Sequence, residues 1–179
     1  MSLAIITGST GLIGSESVNF FHEKGFDVIG IDNNLRKFFF GKNSSTNWVK
    51  AKLLKKNKNF KNYSIDIRNF SALEKIFKKY RRNISVIIHY AAQPSHDYGK
   101  NFPFLDFNIN ATGTLNLLEL TKKYCPNSVF IFMSTNKVYG DNPNRLKILE
   151  KKTRWELKKT EKNYKGINEN FSLDNATHS

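Results

Sequence analysis

An apolar run near the start of the chain, Leu3-Ala4-Ile5-Ile6, passes directly into Thr7-Gly8-Ser9-Thr10-Gly11-Leu12-Ile13-Gly14 and then into a helix-like segment. A buried strand that turns through glycines into a helix is the phosphate-binding corner of a dinucleotide site. Gly8 permits the tight turn. Gly11, lacking a Cβ, lets a pyrophosphate approach the backbone, and Gly14 lets the helix pack closely. Thr10, Leu12 and Ile13 belong to the same corner. There the first helical N–H groups are unpaired and the positive end of the helix dipole faces the phosphates. The spacing is G-x-x-G-x-x-G rather than G-x-G-x-x-G. On this motif alone, an ordinary strand-to-helix turn is the competing explanation.

A second feature shifts the balance. Phe26-Asp27-Val28-Ile29-Gly30-Ile31 reads as the next buried strand and ends in Asp32, 18 residues beyond Gly14. An acid about 20 residues on is where a ribose-binding carboxylate is expected. It would accept both adenosine ribose hydroxyls and repel a 2′-phosphate, which favours NAD over NADP. Arg36 and Lys37 stand close enough in sequence to soften that preference.

The 179 residues suit one domain of ordinary size, and 39% hydrophobic residues are enough for a core. No apolar run reaches the ~20 residues of a membrane span, and the N-terminal run lacks a basic leader, so neither a membrane anchor nor a signal peptide is expected. The single cysteine, Cys125, cannot form an internal disulfide and reads as a structural thiol in a reducing cytoplasm. No metal site is expected. The net charge of +14 invites a nucleic-acid reading. However, the lysines are scattered through 50–61, 78–82 and 151–159. A solvated face is the default for such runs, and specific nucleic-acid binding is not expected.

Strands and helices alternate along the chain. Strand 3–7 precedes helix 12–24 and strand 27–31. A basic insertion over 33–61 holds one helix near 46–57. Tyr63-Ser64-Ile65 reads as a short strand ending at Asp66. Phe70, Leu73, Ile76, Phe77 and Tyr80 form one helical face. Ser85 to Ala91 is a fourth strand and Ser128 to Met133 a fifth. Between them a long helix spans 103–123, with Phe104, Phe107, Ala111, Leu115 and Leu118 at helical spacing. This alternation predicts an α/β fold, a Rossmann-like doubly wound parallel sheet of five strands in the order 3-2-1-4-5. Residues 1–140 are expected to be the dinucleotide-binding domain and 141–179 a loop-rich tail.

Ligands of such sheets bind beyond the carboxyl ends of the strands. Asp66-Ile67 follows strand three, His89-Tyr90-Ala91-Ala92-Gln93 strand four, and Ser134-Thr135 strand five. Singly, Asp66 could cap a turn and Ser134 could satisfy a strand end. Their placement at one edge points to a shared site.

Taken in order, Thr7-Gly8-x-x-Gly11-x-x-Gly14, Asp32-Asn33, Asp66-Ile67-Arg68, His89-x-Ala91-Ala92, Asn110-x-x-Gly113-Thr114-Leu115-Asn116 and Ser134-Thr135-Asn136-Lys137-Val138-Tyr139-Gly140-Asp141 resemble the extended short-chain dehydrogenase/reductase family. Its members include NAD-dependent epimerases and dehydratases of nucleotide sugars. The last run and Asp66-Ile67-Arg68-Asn69 are most similar to the CDP-paratose 2-epimerase branch. The resemblance implies NAD as cofactor, a CDP-sugar as substrate, and hydride removed from a sugar carbon and returned to its other face. It assigns Gly8, Gly11 and Gly14 to the pyrophosphate, and Asp32 and Asn33 to the adenosine ribose. Asp66 and Ile67 go to the adenine, and Ala91, Ala92 and Gln93 to the nicotinamide half. Asn110 steadies the loop beside the cofactor, Ser134 borders it, and Thr135 is the catalytic hydroxyl. Lys137 reads equally as substrate-facing or as a structural anchor.

The family's general base is a Tyr followed four residues later by a Lys, and none of the seven tyrosines here is so followed. The resemblance therefore implies the N-terminal part of an epimerase, truncated before the later strands, or a catalytically inactive NAD-binding fragment. A complete protein of this family would be a homodimer. Without the later elements, Phe104, Phe107, Leu115, Leu118 and the strand Val129–Met133 are expected to lie partly bare.

Overall fold

The computed structural model describes residues 2–173. They form two compact units that divide between Met133 and Ser134.

In the first unit, β1 (Leu3–Thr7), β2 (Asp27–Ile31), β3 (Phe60–Tyr63), β4 (Ile84–His89) and β5 (Val129–Phe132) make one sheet in the order β3-β2-β1-β4-β5, every pair parallel. This is the 3-2-1-4-5 order that the alternating pattern predicts. The strands finish level: Tyr63 lies beside Ile31, Ile31 beside Thr7, Thr7 beside His89, and His89 beside Phe132. One edge of the sheet therefore gathers the residues that follow all five strands.

Side chains alternate across the sheet. Ile5, Ile29, Ile31 and Ile87 meet Leu73, Ile76 and Phe77 of α4 (Phe70–Tyr80) and Leu117 and Leu120 of a long helical segment. On the opposite face, Ala4, Ile6, Val28, Val86 and Ile88 pack with Val18 of α1 (Leu12–Glu23) and Leu53 of α3 (Asn47–Lys56). Both faces are covered, which is why the central strands read as unbroken apolar runs. A short helix, α2 (Arg36–Phe40), precedes α3 and was not predicted from the sequence.

Two sequence expectations change. The third strand is Phe60–Tyr63, not Tyr63–Ile65: the ladder runs from Val28–Phe60 to Ile31–Tyr63, and the Ile65 N–H then donates to the Tyr63 carbonyl at 3.0 Å in a three-residue turn. The helix over 103–123 is continuous in space but not uniform. α6 (Pro103–Phe107) and α7 (Gly113–Tyr124) flank a π-helical turn, Asn108–Thr112, and the short α5 (His96–Asn101) precedes them. Its outward stripe of Phe104, Phe107, Leu115 and Leu118 is exposed, as are Val129, Ile131, Phe132 and Met133. Cys125 is buried, and burial pushes its thiol pKa up.

Gly113 sits where a Cβ would come within 2.5 Å of Ile67 Cδ1. Ile67 is a buried chain end that can shift, so Gly113→Ala is expected to cost about 1–2 kcal/mol in a urea melt. An unchanged midpoint would show that Ile67 does not need this close approach.

The second unit contains a hairpin that was not foreseen, β6 (Ile148–Glu150) and β7 (Trp155–Leu157), with Arg154 paired to Glu156. The Tyr139 hydroxyl donates to the Asn168 carbonyl at 3.2 Å. The last residues of the 141–179 tail, 174–179, lie outside the described residues. Among the described residues, no helix is long and apolar enough to cross a membrane.

Candidate functional site

The turn after β1 is built backbone against backbone. Gly8 takes φ +64°, and its N–H donates to the Ile31 carbonyl at 2.8 Å. A Cβ there would stand 3.0 Å from Ala91 N, so this turn and the segment after β4 touch through main chain. Gly11 has φ −71°, open to any residue; its N–H donates to the Gly8 carbonyl at 3.0 Å. Gly14 packs on the Gly8 peptide itself, where a Cβ would lie 2.1 Å from the Gly8 oxygen. α1 starts with no side-chain cap and no acid in its first turn. Leu12 and Ile13 are 84% and 56% exposed. An uncapped helix start beside a glycine turn leaves N–H groups for an anion.

Asp32 leaves β2 with both carboxylate oxygens oriented. Oδ2 accepts from the Thr10 N–H at 2.9 Å and Oδ1 from the Asn34 N–H at 2.8 Å. The glycine corner thus fixes the carboxylate directly. Asn34, at φ +56°, is a residue the sequence did not single out. Its Oδ1 accepts from the Thr46 N–H at 2.9 Å, its Nδ2 donates to Ser45 Oγ at 2.9 Å, and the Thr46 and Thr10 hydroxyls are 2.7 Å apart. This clasp folds 34–46 back onto the corner. The available signal was an Asn at a turn, where the left-handed region suits it.

Asp66 is fully engaged. Oδ1 accepts from the Arg68 N–H and Nε, both at 2.9 Å; Oδ2 accepts from Arg68 Nη2 at 2.7 Å and Asn33 Nδ2 at 2.9 Å. A carboxylate has about four acceptor positions, and this chain fills them. The Arg68 guanidinium, foremost, holds the Asp66 carboxyl below its usual range. Asp66 therefore also caps a turn, the local role left open by the sequence. Ile67 is buried, and Asn116 Nδ2 donates to its carbonyl at 3.0 Å.

After β4, Ala91 is half-buried, Ala92 exposed and Gln93 buried. The Gln93 N–H donates to Asn110 Oδ1 at 2.9 Å, and Gln93 Nε2 to Asp106 Oδ1 at 2.8 Å. Asn110 Nδ2 reaches the same Asp106 oxygen at 3.1 Å. Asp106 was missed because it lies between the stripe phenylalanines and carries no pattern of its own.

Gly8, Thr10, Asp32, Asn33, Asp66, Ala91, Gln93 and Asn110 are thus joined by contacts along one sheet edge. Ser134 and Thr135 begin the second unit. Thr135 Oγ1 accepts there from the Lys137 N–H at 3.3 Å. Among the described residues no group of three His, Cys, Asp or Glu could hold a metal ion.

Residues 5–155 match the sequence profile of the GDP-mannose 4,6 dehydratase family. The CDP-paratose 2-epimerase of Salmonella typhi is 36% identical over 137 residues, 76% of this chain and 38% of that protein. The UDP-glucuronate 4-epimerase of Thermodesulfobacterium geofontis is 36% identical over 144 residues, 80% of this chain and 42% of that protein. A solved UDP-glucose 4-epimerase from Thermotoga maritima, crystallised with UDP-glucose, matches with a TM-score of 0.61 at 33% identity, covering 79% of this chain and 40% of that one. The enzyme of Bifidobacterium longum, in complex with NAD+ and UDP, gives 0.65 at 26%, covering 89% and 43%. The chain spans about two fifths of the length of the curated relatives it matches. By sequence, strand order and glycine corner together, it belongs to the NAD-dependent epimerases and dehydratases of the extended short-chain dehydrogenase/reductase family.

Proposed function

We propose that this chain is the NAD-binding portion of a nucleotide-sugar epimerase acting on a CDP-sugar. The observation that carries the reading is Asp32, held at the end of β2 by the N–H groups of Thr10 and Asn34, beside the uncapped start of α1. The corner suits a pyrophosphate because its glycines leave no side chain between the backbone and a ligand. NAD, when bound, supplies the hydride acceptor. Gly8, Thr10, Gly11, Leu12, Ile13 and Gly14 hold the pyrophosphate, and Asp32 with Asn33 the adenosine ribose. Asp66 and Ile67 border the adenine. Ala91, Ala92, Gln93, Asn110 and Ser134 border the nicotinamide half. Thr135 donates or accepts a hydrogen bond at the sugar hydroxyl being oxidised.

The CDP preference rests on the Ser134–Asp141 and Asp66–Asn69 runs, since the overall identity is 36% to a CDP-paratose 2-epimerase and to a UDP-glucuronate 4-epimerase alike. We assign residues 1–140 to cofactor binding and 141–179 to the substrate side, in a cytoplasmic protein. The exposed stripe of Phe104, Phe107, Leu115 and Leu118 is the surface on which two copies would pair.

Calorimetric titration with each dinucleotide is the direct test. NAD is expected to bind more tightly than NADP, and Asp32→Ala is expected to weaken NAD and narrow the difference. Equal or tighter NADP binding by the unsubstituted chain would overturn the role of Asp32. A second reading, NAD binding without turnover, concerns these 179 residues on their own, which contain no Tyr-x-x-x-Lys. The 179 residues alone are expected to leave CDP-paratose unchanged in the presence of NAD. Appearance of its 2-epimer would place a general base within them.

A further inference from the structure

His89 is buried at the last position of β4 and takes no part in the assignments above. Its two ring nitrogens lie 2.7 Å from the Thr7 hydroxyl and 2.9 Å from the Thr114 hydroxyl. Both ends of this arrangement have a fixed direction. At one end the Ala91 N–H donates to Thr7 Oγ1 at 3.1 Å. At the other, Thr114 Oγ1 lies 2.6 Å from the Asn110 carbonyl, which only accepts. A hydroxyl has one proton. Thr114 spends it on Asn110, so it accepts from His89 Nε2–H. A neutral imidazole then has a bare Nδ1, which accepts the Thr7 proton, and Thr7 keeps its lone pairs for Ala91. Every link runs the same way, and only the Nε2–H tautomer satisfies them all.

What the path connects gives it meaning. Ala91 N is the atom against which Gly8 packs. Asn110, at the far end, uses its side chain to accept the Gln93 N–H at 2.9 Å. Two of the three backbone N–H groups of the 91–93 segment, those of Ala91 and Gln93, are therefore fixed by partners that both lead to one ring. The Thr114 hydroxyl reaches the carbonyl four residues back, as the Thr121 hydroxyl does to Leu117, and Asn110 itself lies in the π-helical turn.

We propose that His89 is a positioning residue: as the Nε2–H tautomer it ties the 91–93 segment, through Thr7 and through Thr114 and Asn110, to the glycine corner and so sets the wall of the nicotinamide half. The consequence for cofactor affinity rests on the NAD reading; the tautomer does not.

Nitrogen NMR of the full chain with 15N-labelled histidine reads the tautomer at neutral pH. A single neutral Nε2–H form is expected for His89; the Nδ1–H form, or an averaged mixture, would overturn the proposal. Thr7→Val keeps the shape and removes the hydroxyl. Nε2–H still has Thr114 as its acceptor, so the tautomer is expected to persist while NAD weakens about tenfold, the worth of one good hydrogen bond. Thr7→Ser is expected to restore the affinity. Thr114→Val removes the acceptor of Nε2–H and leaves Thr7 able either to donate to Nδ1 or to accept from it, so it is expected to abolish the single-tautomer signature and to weaken NAD as well, which covers the case in which Thr7→Val fails to fold. Thr121→Val, which removes another buried hydroxyl in α7, bonded to the Leu117 carbonyl, is expected to change neither. If Thr114→Val folds with an unchanged tautomer, the hydrogen-bond path is wrong. If Thr7→Val or Thr114→Val folds and NAD affinity does not change, the positioning role is wrong. If the unsubstituted chain binds no NAD, the cofactor reading fails, and the tautomer measurements still decide the path.

Discussion

Gly14→Ala is expected to be the most damaging single-methyl addition in this chain. Its new Cβ would start 2.1 Å from the Gly8 oxygen, 2.8 Å from the Gly8 carbonyl carbon and 3.1 Å from Ser9 Cα. All three are backbone atoms, so no side chain can rotate away. Gly8 cannot retreat either, because its N–H is bonded to the Ile31 carbonyl and its Cα faces Ala91 N. α1 has to lift from the corner, opening the contact of Val18 with the buried face of the sheet. A loss of about 3 kcal/mol is expected, at the upper end for overpacking, together with loss of NAD binding. Gly25→Ala is the control. Gly25 has φ +83° but nothing within 4 Å of a built Cβ. Only the backbone penalty of about 1–2 kcal/mol applies there. Equal urea midpoints for the two variants would show that close packing of Gly14 is not what the corner requires.

Stability is expected to fall with acid over two pH intervals. Burial pushes the His89 imidazole down to about 4, among the hydroxyls of Thr7 and Thr114 and the rings of Phe130 and Phe132. In the unfolded chain the same group titrates near 6.5. Between those values the unfolded state binds the extra proton, so it gains as pH falls. The contribution is complete above about 6.5 and gone by about 4, roughly 3 kcal/mol in all. Asp66 acts in the same direction but lower on the scale: its pKa lies below the ordinary 3.8, so its contribution is kept above that value and lost beneath it. Urea melts at pH 7.5 and 4.5 isolate the first interval. His89→Gln is expected to be less stable at pH 7.5 and to have a flatter profile across that interval. A native profile that is already flat there would exclude a buried neutral His89.

How much of this was legible in the sequence depends on the kind of signal. β1, β2 and β4 announce themselves because strands buried on both faces must be apolar throughout, and α4 because Leu73, Ile76 and Phe77 recur at helical spacing. Periodicity alone could not assign an inner and an outer side to the 103–124 helix. Phe104, Phe107, Leu115 and Leu118 are exposed, as expected for a stripe without the later elements to cover it, while Ile109 and Leu117, which the spacing did not single out, form the buried side. The start of β3 was misplaced because a four-residue strand has too few alternations to fix its register; pairing with β2 does that. In the candidate site the glycines and Asp32 were readable, since their spacing carries a mechanism. Asn34, Thr46 and Asp106 were not. They are ordinary polar residues whose value comes from positions that only the folded backbone brings together. The π-helical turn has no compositional mark at all.

The place of β1 in the sheet has a consequence for the order in which the structure can form. β1 is the central strand, paired on one side with β2 and on the other with β4, so Thr7 lies beside both Ile31 and His89. During synthesis β2 and β3 can join β1 soon after they appear. The second edge of β1 has no partner until Ile84–His89 has been made. Throughout that interval Ile5 and Ile6 present an unpaired apolar strand edge, the kind of surface that recruits foreign strands. The segment that closes it carries His89, so edge protection and the bond from Thr7 to His89 arrive in the same step, and Asn110 and Thr114 extend the link only when the following helix is made. Slow translation between residues 63 and 84 would prolong the exposure, and the yield of soluble protein should be sensitive to codon choice in that stretch before any other.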